Sequence, residues 1–226
     1  MYRLFFEGYT LKQWKRHPRE LHASVCGRIP IRLNRDDRYL SESFQALPKR
    51  GYTRMFESMI EASPGLEVHL QVEDEEARQR WPHRHLIYTG PIDAYFGRCF
   101  GALPYRSLRF ELESFSAVEL QQLQRQAVAG KPGFWQPALQ VNYPEAETPH
   151  TRIVEIKHAT GQQIEATAIM REYPLDWTEQ QEPFYPIPTD ASAALYERYR
   201  ALAQQEERVS FIGRLATYRY LSLIHI

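Results

Sequence analysis

The chain has 226 residues, 43% of them hydrophobic and 25% charged, and its 28 basic and 28 acidic side chains cancel to a formal net charge of zero. This composition is typical of a globular protein with enough apolar residues for a core, and the neutral balance argues against a nucleic-acid partner, because affinity for phosphate backbones depends on excess positive charge. No apolar run approaches about 18 residues and no signal peptide is present, so we expect a cytoplasmic protein without a membrane partner.

The first fifty residues are predicted to be helical and then irregular. Two helices are expected over residues 2–17 and 18–27, and the break between them falls at Pro18. Residues 28–51 are charged and interrupted by prolines, which is typical of a loop that is either functional or disordered. A helix over residues 52–61 follows, with apolar side chains on one face. That face consists of Met55, Phe56, Met59 and Ile60.

The next stretch mixes strands and helices. Alternating apolar residues predict a half-buried strand over residues 66–72, and the polar residues 73–80 predict a surface helix. A short apolar strand at 86–88 then meets a Thr-Gly-Pro turn and an aromatic-rich helix that carries Asp93. This order describes an α/β crossover whose turn lies near a ligand crevice.

From Arg106 to about residue 185, alternating apolar residues predict an antiparallel sheet. Its strands are expected at residues 106–112, 139–143, 151–157 and 164–171. A turn at Gly161 joins the last two strands and suggests a hairpin. The sequence therefore predicts a mixed α/β fold, with α+β character.

Two helices and a last strand accompany this sheet. Ser116 begins a capping box for a helix that ends near residue 129, and Thr189 or Asp190 caps a helix that ends near residue 206. Residues 209–212 form the last strand. The second helix carries one apolar stripe. The stripe consists of Leu195, Tyr199 and Leu202.

The two cysteines, Cys26 and Cys99, lie far apart in the sequence. A disulfide between them is conceivable, but buried, reduced thiols fit a cytoplasmic protein better. We therefore expect both thiols to be buried.

Several common catalytic and cofactor motifs are absent. The sequence has no Gly-x-Ser-x-Gly elbow, no P-loop and no Gly-x-Gly-x-x-Gly fingerprint. The pairs His83/His85 and Glu155/His158 have the residue types of metal ligands. Neither pair has the spacing of a His-Glu-x-x-His helix or a cysteine partner, so we predict no metal site.

Some aromatic and basic residues suit a nucleotide. Tyr9 and Trp14 lie near the end of the first predicted helix, where tryptophan offers a flat face for a nucleobase, although the residues alone favour a core aromatic pair. Arg28 carries a planar guanidinium that suits a pyrophosphate, although a lone loop arginine is usually solvated. Without any resemblance to a known family, Arg152 is predicted to be a surface residue of a strand.

Three runs of residues resemble one family, the UDP-galactopyranose mutases: FFEGYTLKQW at 5–14, LIYTGPIDAYFGRCFGALPYRSLRF at 86–110 and PHTRIVEIKH at 149–158. The resemblance extends over about residues 1–220. It implies an isomerase, an intramolecular transferase that converts UDP-galactopyranose to UDP-galactofuranose for cell-surface glycans. The implied reaction passes through a flavin N5–sugar adduct, with UDP displaced and then returned, and has no net redox change.

The resemblance assigns the base pocket to the first run. Trp14 stacks on the uracil, while Phe5, Tyr9 and Thr10 form the walls of the pocket. The family's usual residue after this tryptophan is glycine, and here it is Lys15. We expect little damage from that change.

The resemblance places the diphosphate between two arginines. Arg28 belongs to a mobile lid that closes on the phosphates together with Tyr39, and Arg152 lies opposite. Tyr185 and Tyr220 match tyrosines that bind the diphosphate near the sugar. A lid fits the chemistry because water must be excluded from an electrophilic sugar intermediate.

The sugar and flavin side is implied by five further positions. Asn142 matches a substrate-binding position, and Arg106 and Glu172 match cofactor-binding ones. Gly213 and Arg214 resemble the family's flavin-contacting Gly-Gly-Arg-Leu turn.

The match on the cofactor side is incomplete. Ile212 replaces the first glycine of that turn, and Ser222 stands where the family has an aspartate. Reduced FAD is the implied cofactor and NAD(P)H its reductant, but the family's Gly-x-Gly-x-x-Gly segment is not in this chain. Most of the FAD site is therefore expected to be missing, and the fragment is expected to be inactive alone. No side chain is expected to act as a nucleophile, since the flavin carries the covalent chemistry.

The implied architecture is part of a three-domain mutase. Residues 1–50 belong to a helical substrate-lid domain, and residues 106–206 to an antiparallel sheet domain with a trailing helix. Residues 51–105 and 207–220 belong to an incomplete Rossmann-like flavin-binding domain. Residues 221–226 are interpreted as a non-native tail, because LSLIHI is also the translation of a sequencing-library adapter. The oligomeric state stays open, with a homodimer as one alternative.

Two other functions stay open at this point. One is a UDP-sugar binding module without chemistry, which keeps Trp14 and both arginines. The other is an amine-oxidase-like flavoprotein with another substrate, which shares the flavin domain but not the uridine pocket.

Overall fold

The computed structural model describes residues 2–25, 33–35, 43–123 and 133–220. The tail at 221–226 and Cys26 lie outside these ranges. Within them, no helix is long and apolar enough to span a bilayer.

The chain begins with one turn of π-helix at Arg3–Glu7 that continues into helix α1, Gly8–Trp14. The helix ends because Lys15 adopts a left-handed conformation, with φ at 48°. The predicted helix over residues 18–27 is wrong in its described part: residues 18–25 form two short 3-10 turns, Pro18–Glu20 and Ala23–Val25. The first of them begins at Pro18, whose ring fixes φ and which lacks the N–H that an extended helix needs.

Of the three elements predicted over residues 52–80, the two helices form and the strand does not. Helix α2, Gly51–Glu61, forms within a residue of its predicted bounds, but none of its residues is buried. The predicted strand over residues 66–72 is wrong, because the chain is irregular there. Alternation stabilises a strand only when a neighbouring strand pairs with it, and none of the described strands does so. The predicted surface helix is confirmed as α3, Asp74–Arg80.

The crossover predicted around the Thr-Gly-Pro turn is confirmed. Strand β1, Leu86–Tyr88, is followed by helix α4, Ile92–Tyr95, and pairs in parallel with strand β7, Val209–Phe211. Helix α7, Asp190–Ala203, precedes β7 and packs against α4. The core between these elements is largely aromatic. Its buried members are Ile92, Leu103, Tyr105, Tyr199 and Tyr218.

The predicted antiparallel sheet is confirmed and has five strands in the order β3-β4-β5-β2-β6. The strands are β2 at Tyr105–Phe115, β3 at Gln140–Asn142, β4 at Arg152–Glu155, β5 at Thr167–Asp176 and β6 at Tyr185–Pro186. The strand predicted at 164–171 begins and ends later, because a short helix, α6 at Lys157–Thr160, occupies the connection and ends at left-handed Gly161.

Both predicted helix caps are confirmed. Ser116 and Glu119 form a capping box at the start of α5, Ala117–Gln122, and Thr189 caps α7. The predicted end of α5 near residue 129 falls outside the described residues. A last short helix, α8, spans Gly213–Ala216. The expectation of a buried Cys99 is wrong: its thiol is free and exposed, in the turn that follows α4.

A buried carboxylate anchors the loop before β3 to the sheet. Glu155 is fully buried and accepts hydrogen bonds from the backbone N–H groups of Trp135 at 2.8 Å and Gln136 at 2.9 Å. It also accepts from the Thr167 hydroxyl at 2.5 Å and lies 3.3 Å from the His158 ring. These donors surround both carboxylate oxygens, which gives Glu155 a structural role.

Replacing Glu155 by glutamine should lower the free energy of unfolding by about 3 kcal/mol, because the new NH2 group faces donors and leaves one of them unpaired. Denaturant unfolding of the whole chain measures the change. The control is Glu165→Gln, an exposed position nearby, which should change stability by less than about 0.5 kcal/mol. Equal effects of the two substitutions would contradict the proposed role of Glu155.

Candidate functional site

Predicted site residues from separate stretches of the chain form one row across the five-stranded sheet. The register pairs Asn142 with Arg152, Arg152 with Glu172, and Glu172 with Phe110. Residues directly opposite on neighbouring strands project from the same face. Strand pairing alone therefore brings three predicted site residues together.

A second row lies on the same face. Asp176 pairs with Arg106, and Arg106 pairs with Tyr185 on the edge strand β6. Arg106 lies four residues before Phe110 on β2, so the side-chain alternation returns it to the face of the first row, about 13 Å away along the strand. The two rows together define what we call the site face.

Helix α1 covers the site face and is attached to both rows. Arg152 donates a hydrogen bond to the Tyr9 hydroxyl at 3.0 Å, which joins the helix to the first row. Arg106 donates from Nε to the backbone carbonyl of Gln13 at 2.8 Å, which joins it to the second. The side chains of Thr10, Gln13 and Trp14 are buried in this contact.

An aromatic cluster adjoins the helix. Trp14 is only 4% exposed and lies 6.2 Å from the Tyr185 ring and 5.4 Å from the Tyr220 ring. The two tyrosine rings lie 5.1 Å apart. Arg214 holds its guanidinium over both of them, at 5.2 and 5.7 Å, and donates to the Phe184 carbonyl at 3.1 Å. Trp14, Tyr185, Tyr220 and Arg214, predicted from three distant segments, thus lie together.

The charges of the first row are buried. The Arg152 and Glu172 side chains are 20% and 7% exposed, and the closest nitrogen and oxygen lie 3.0 Å apart. Burial raises the pKa of Glu172 above its ordinary value, and the positive charge of Arg152 opposes that rise. Burial lowers the pKa of Arg152, but Tyr9, Glu172 and the phenols of Tyr185 and Tyr220 raise it, and the net direction is upward. Arg152 therefore stays charged beside three phenols.

The site face also holds buried polar atoms without a hydrogen-bond partner. In the described part of the chain, three such atoms lie here: both amide atoms of Gln13 and Nη2 of Arg106. Nε of Arg152 and Oε1 of Glu172 lack a hydrogen bond of good geometry, but they lie 3.0 Å apart in the ion pair and face each other. Buried polar groups are nearly always satisfied, so such a cluster indicates a place where polar groups of a ligand or ordered water complete the bonds.

The remaining predicted site residues are exposed or lie outside the described residues. Phe5 lies on the π-helical turn with 60% of its surface exposed. Arg28 and Tyr39 lie outside the described residues, so their lid role stays a prediction. Asn142 ends the first row but is exposed, and it accepts a hydrogen bond from Gln140 at 3.1 Å.

Two residues of the site were missed from the sequence. Asp176 forms ion pairs with the buried Arg106 and, at 2.5 Å, with Lys15, which follows Trp14. Gln13 lies beside Trp14 on the buried face of α1. Gln13 could have been found from its place inside the FFEGYTLKQW run, whereas no sequence signal points to Asp176.

A cavity of about 620 Å³ opens elsewhere, between α7, β7 and the residues after α8. His22, Tyr196, Arg200 and Arg219 are among its lining residues, and none of the predicted site residues is. We therefore do not assign it to the candidate site.

The site face combines buried cationic side chains with an aromatic cluster. A sequence model described as UDP-galactopyranose mutase matches residues 4–220, and the chain therefore belongs to the UDP-galactopyranose mutase family. This confirms the resemblance found in the sequence.

Individual relatives agree with this assignment. The chain is 37% identical over 224 residues to a probable UDP-galactopyranose mutase of Klebsiella pneumoniae, covering 99% of this chain and 54% of that protein. It is 31% identical over 229 residues to a dTDP-fucopyranose mutase of Escherichia coli, covering 99% and 56%. The chain thus spans about half the length of these relatives.

The fold has a counterpart among solved structures. A crystal structure of reduced UDP-galactopyranose mutase superposes with a TM-score of 0.62 at 14% sequence identity, covering 97% of this chain and 60% of the other. At that identity the match supports the fold alone, and it agrees with the mixed α/β architecture.

The family depends on a flavin, and residues of this chain fit one side of such a cofactor. Gly213 has φ at +84°, with open space where a Cβ would stand, so its backbone is accessible to a planar ring. Arg214 follows it, and Arg106 keeps one buried N–H group without a partner. These donors suit the polar edge of an isoalloxazine ring.

Replacing Arg152 by methionine should destabilise the chain by about 3 kcal/mol near neutral pH, because Glu172 loses its buried partner. The folded-state pKa of Glu172 already lies above its ordinary value, so stability falls as the pH rises through it. Losing Arg152 raises that pKa further. The stability deficit of the variant should therefore be larger at about pH 8 than at about pH 5.

Denaturant unfolding at both pH values tests this prediction. Arg84→Met, which removes an exposed arginine, serves as the control and should show a small deficit that does not depend on pH. A deficit of Arg152→Met that is the same at the two pH values would contradict the buried ion pair.

Proposed function

We propose that this chain is the substrate-binding half of a flavin-dependent mutase that converts UDP-galactopyranose to UDP-galactofuranose. One observation carries the proposal: an indole, three phenols and a buried, charged arginine meet beside one sheet face. An aromatic platform next to a fixed cation suits a nucleobase joined to a diphosphate.

Each part of the nucleotide has candidate partners. The uracil stacks on Trp14, with Tyr9 and Thr10 beside it. The diphosphate lies against Arg152, Tyr185 and Tyr220. Trp14 and Arg152 belong to one continuous site, as a single nucleotide requires.

The lid residues complete the proposed contacts. Arg28 and Tyr39 close on the phosphates from the charged loop, and Phe5 joins the base pocket. Asn142 contacts the sugar. Closure of this loop excludes water while the sugar is reactive.

The chain's own residues bind and stabilise charge. When bound, reduced FAD supplies the nucleophile that the reaction needs, held by Arg106, Glu172, Gly213 and Arg214. Arg152 stabilises the negative charge that develops on UDP as the glycosidic bond breaks, and the tyrosines donate to the same oxygens. Holding UDP in place favours its return to the sugar.

The remaining assignments belong to the whole protein. Residues 1–50 form part of the substrate-lid domain, residues 106–206 the sheet domain, and residues 51–105 with 207–220 part of the flavin domain. NAD(P)H reduces the flavin in a cytoplasmic enzyme, and a homodimer is a testable assembly. The similarity to a dTDP-fucopyranose mutase makes a dTDP sugar the second candidate substrate.

Titration of the chain with UDP, followed by calorimetry, tests the site. Trp14→Ala should weaken UDP binding about tenfold or more, because base stacking on an aromatic side chain contributes about 1–3 kcal/mol. The matched control is Trp81→Ala, since Trp81 packs on His69 and Arg80 rather than on the site face, and it should leave UDP affinity unchanged. Equal losses in both variants would contradict the assignment of Trp14.

Activity separates the mutase from a pure binding module. A version of the chain extended at both ends should bind flavin and, once reduced, convert UDP-galactose, whereas the 226-residue chain should show no turnover. UDP binding without conversion in the extended protein would favour the binding module. Preferential binding of dTDP over UDP would favour the second substrate.

A further inference from the structure

The site face contains a polar side chain that the proposed function leaves without a role. Gln13 is 3% exposed, and neither its Nε2 nor its Oε1 has a hydrogen-bond partner. Burying an amide without partners is unfavourable by about 1–3 kcal/mol, and an apolar side chain of similar size would avoid that penalty. The residue at this position is nevertheless a glutamine, which indicates that a bound group completes the hydrogen bonds of its carboxamide.

The position of Gln13 shows which part of a ligand it faces. Its backbone carbonyl is held by Arg106, and it follows Tyr9 by four residues, so both lie on one stripe of α1. Tyr9 bonds Arg152 beside Glu172. Helical side chains lean toward the N-terminus of their helix, so the carboxamide lies over the site face between the two charged rows.

The neighbouring Trp14 marks a different part of the site. Successive residues of an α-helix are rotated by about 100°, so the Gln13 side chain leaves α1 in a different direction from Trp14, which packs on Tyr185 and Tyr220. Gln13 is therefore not on the stacking platform assigned to the base.

The two unpartnered atoms of Gln13 indicate which chemical group of a ligand would suit them. Phosphate oxygens only accept hydrogen bonds, so they would satisfy Nε2 but leave Oε1 unpaired. A hydroxyl group donates and accepts, and it would satisfy both atoms.

We propose that Gln13 is a specificity-determining residue that binds hydroxyl groups of the hexose. This inference rests on the proposed function, because it requires a nucleotide sugar in the same site. It assigns recognition of the sugar to α1, separately from the contacts that hold UDP.

Calorimetric titration of the whole chain with UDP and with UDP-galactose tests the inference. Gln13→Met keeps the volume but removes both polar atoms, and it should weaken UDP-galactose binding about tenfold while UDP affinity stays within about twofold. Gln79→Met, at an exposed position on α3, is the matched control and should change neither affinity.

The other outcomes are also decisive. Equal weakening of both ligands, or no change in either, would overturn the role of Gln13, since ordered water or the diphosphate would then complete its bonds. Absence of UDP binding by the unmodified chain would instead contradict the proposed function itself. If Gln13→Met does not fold, Gln13→Asn keeps both polar atoms on a shorter stem and should show the same selective loss for UDP-galactose.

Discussion

The buried pair of Arg152 and Glu172 is the interaction on which the candidate site depends. Removing two charges from water is unfavourable by several kcal/mol for each ion, and mutual attraction offsets this only if the remaining hydrogen-bonding groups are satisfied. A guanidinium has five N–H donors. Nη1 of Arg152 bonds Gln140, Nη2 bonds Tyr9 and Nε faces Glu172, which leaves two N–H groups for an anion. The pair therefore holds α1 to the sheet and also leaves N–H donors that can bind a ligand.

The hydrogen bonds of Arg152 and Arg106 to α1 also explain the position of this helix. The helix has only seven residues and would be marginal alone, because short helices depend on tertiary packing. Its hydrogen bonds to the arginines of both rows fix it over the sheet, and Trp14 is fixed with it. Strand register is equally important, since a slip by one residue would turn every side chain of a strand to the opposite face. The long pairing of β2 with β5 makes such a slip unfavourable.

Local patterns predicted most of the helices and strands, because the signals that begin and end them lie within a few residues. The alternation around Arg106, the capping residue Ser116 and the Thr-Gly-Pro turn each act within a few residues. The strand predicted at 66–72 fails because strands need partners that a single sequence does not identify. The resemblance predicted Trp14 as a site residue. Asp176 comes to lie beside Arg106 only through strand register, so no pattern near it in the sequence predicts this contact.

The site is therefore suited to stabilising charge rather than to attacking a bond. None of the described side chains on the site face is an activated nucleophile: the polar groups there are arginines, phenols, two paired carboxylates and two amides. Strand pairing and a fixed helix hold these groups in position before a ligand arrives, so little reorganisation is needed when charge develops on a leaving diphosphate. Arg106 shows the same principle, because Asp176 and the Gln13 carbonyl orient its guanidinium while one buried N–H group stays available. In the proposed reaction UDP departs and returns, and fixed cationic groups suit such a step, whereas the bond-forming chemistry would be supplied by the cofactor.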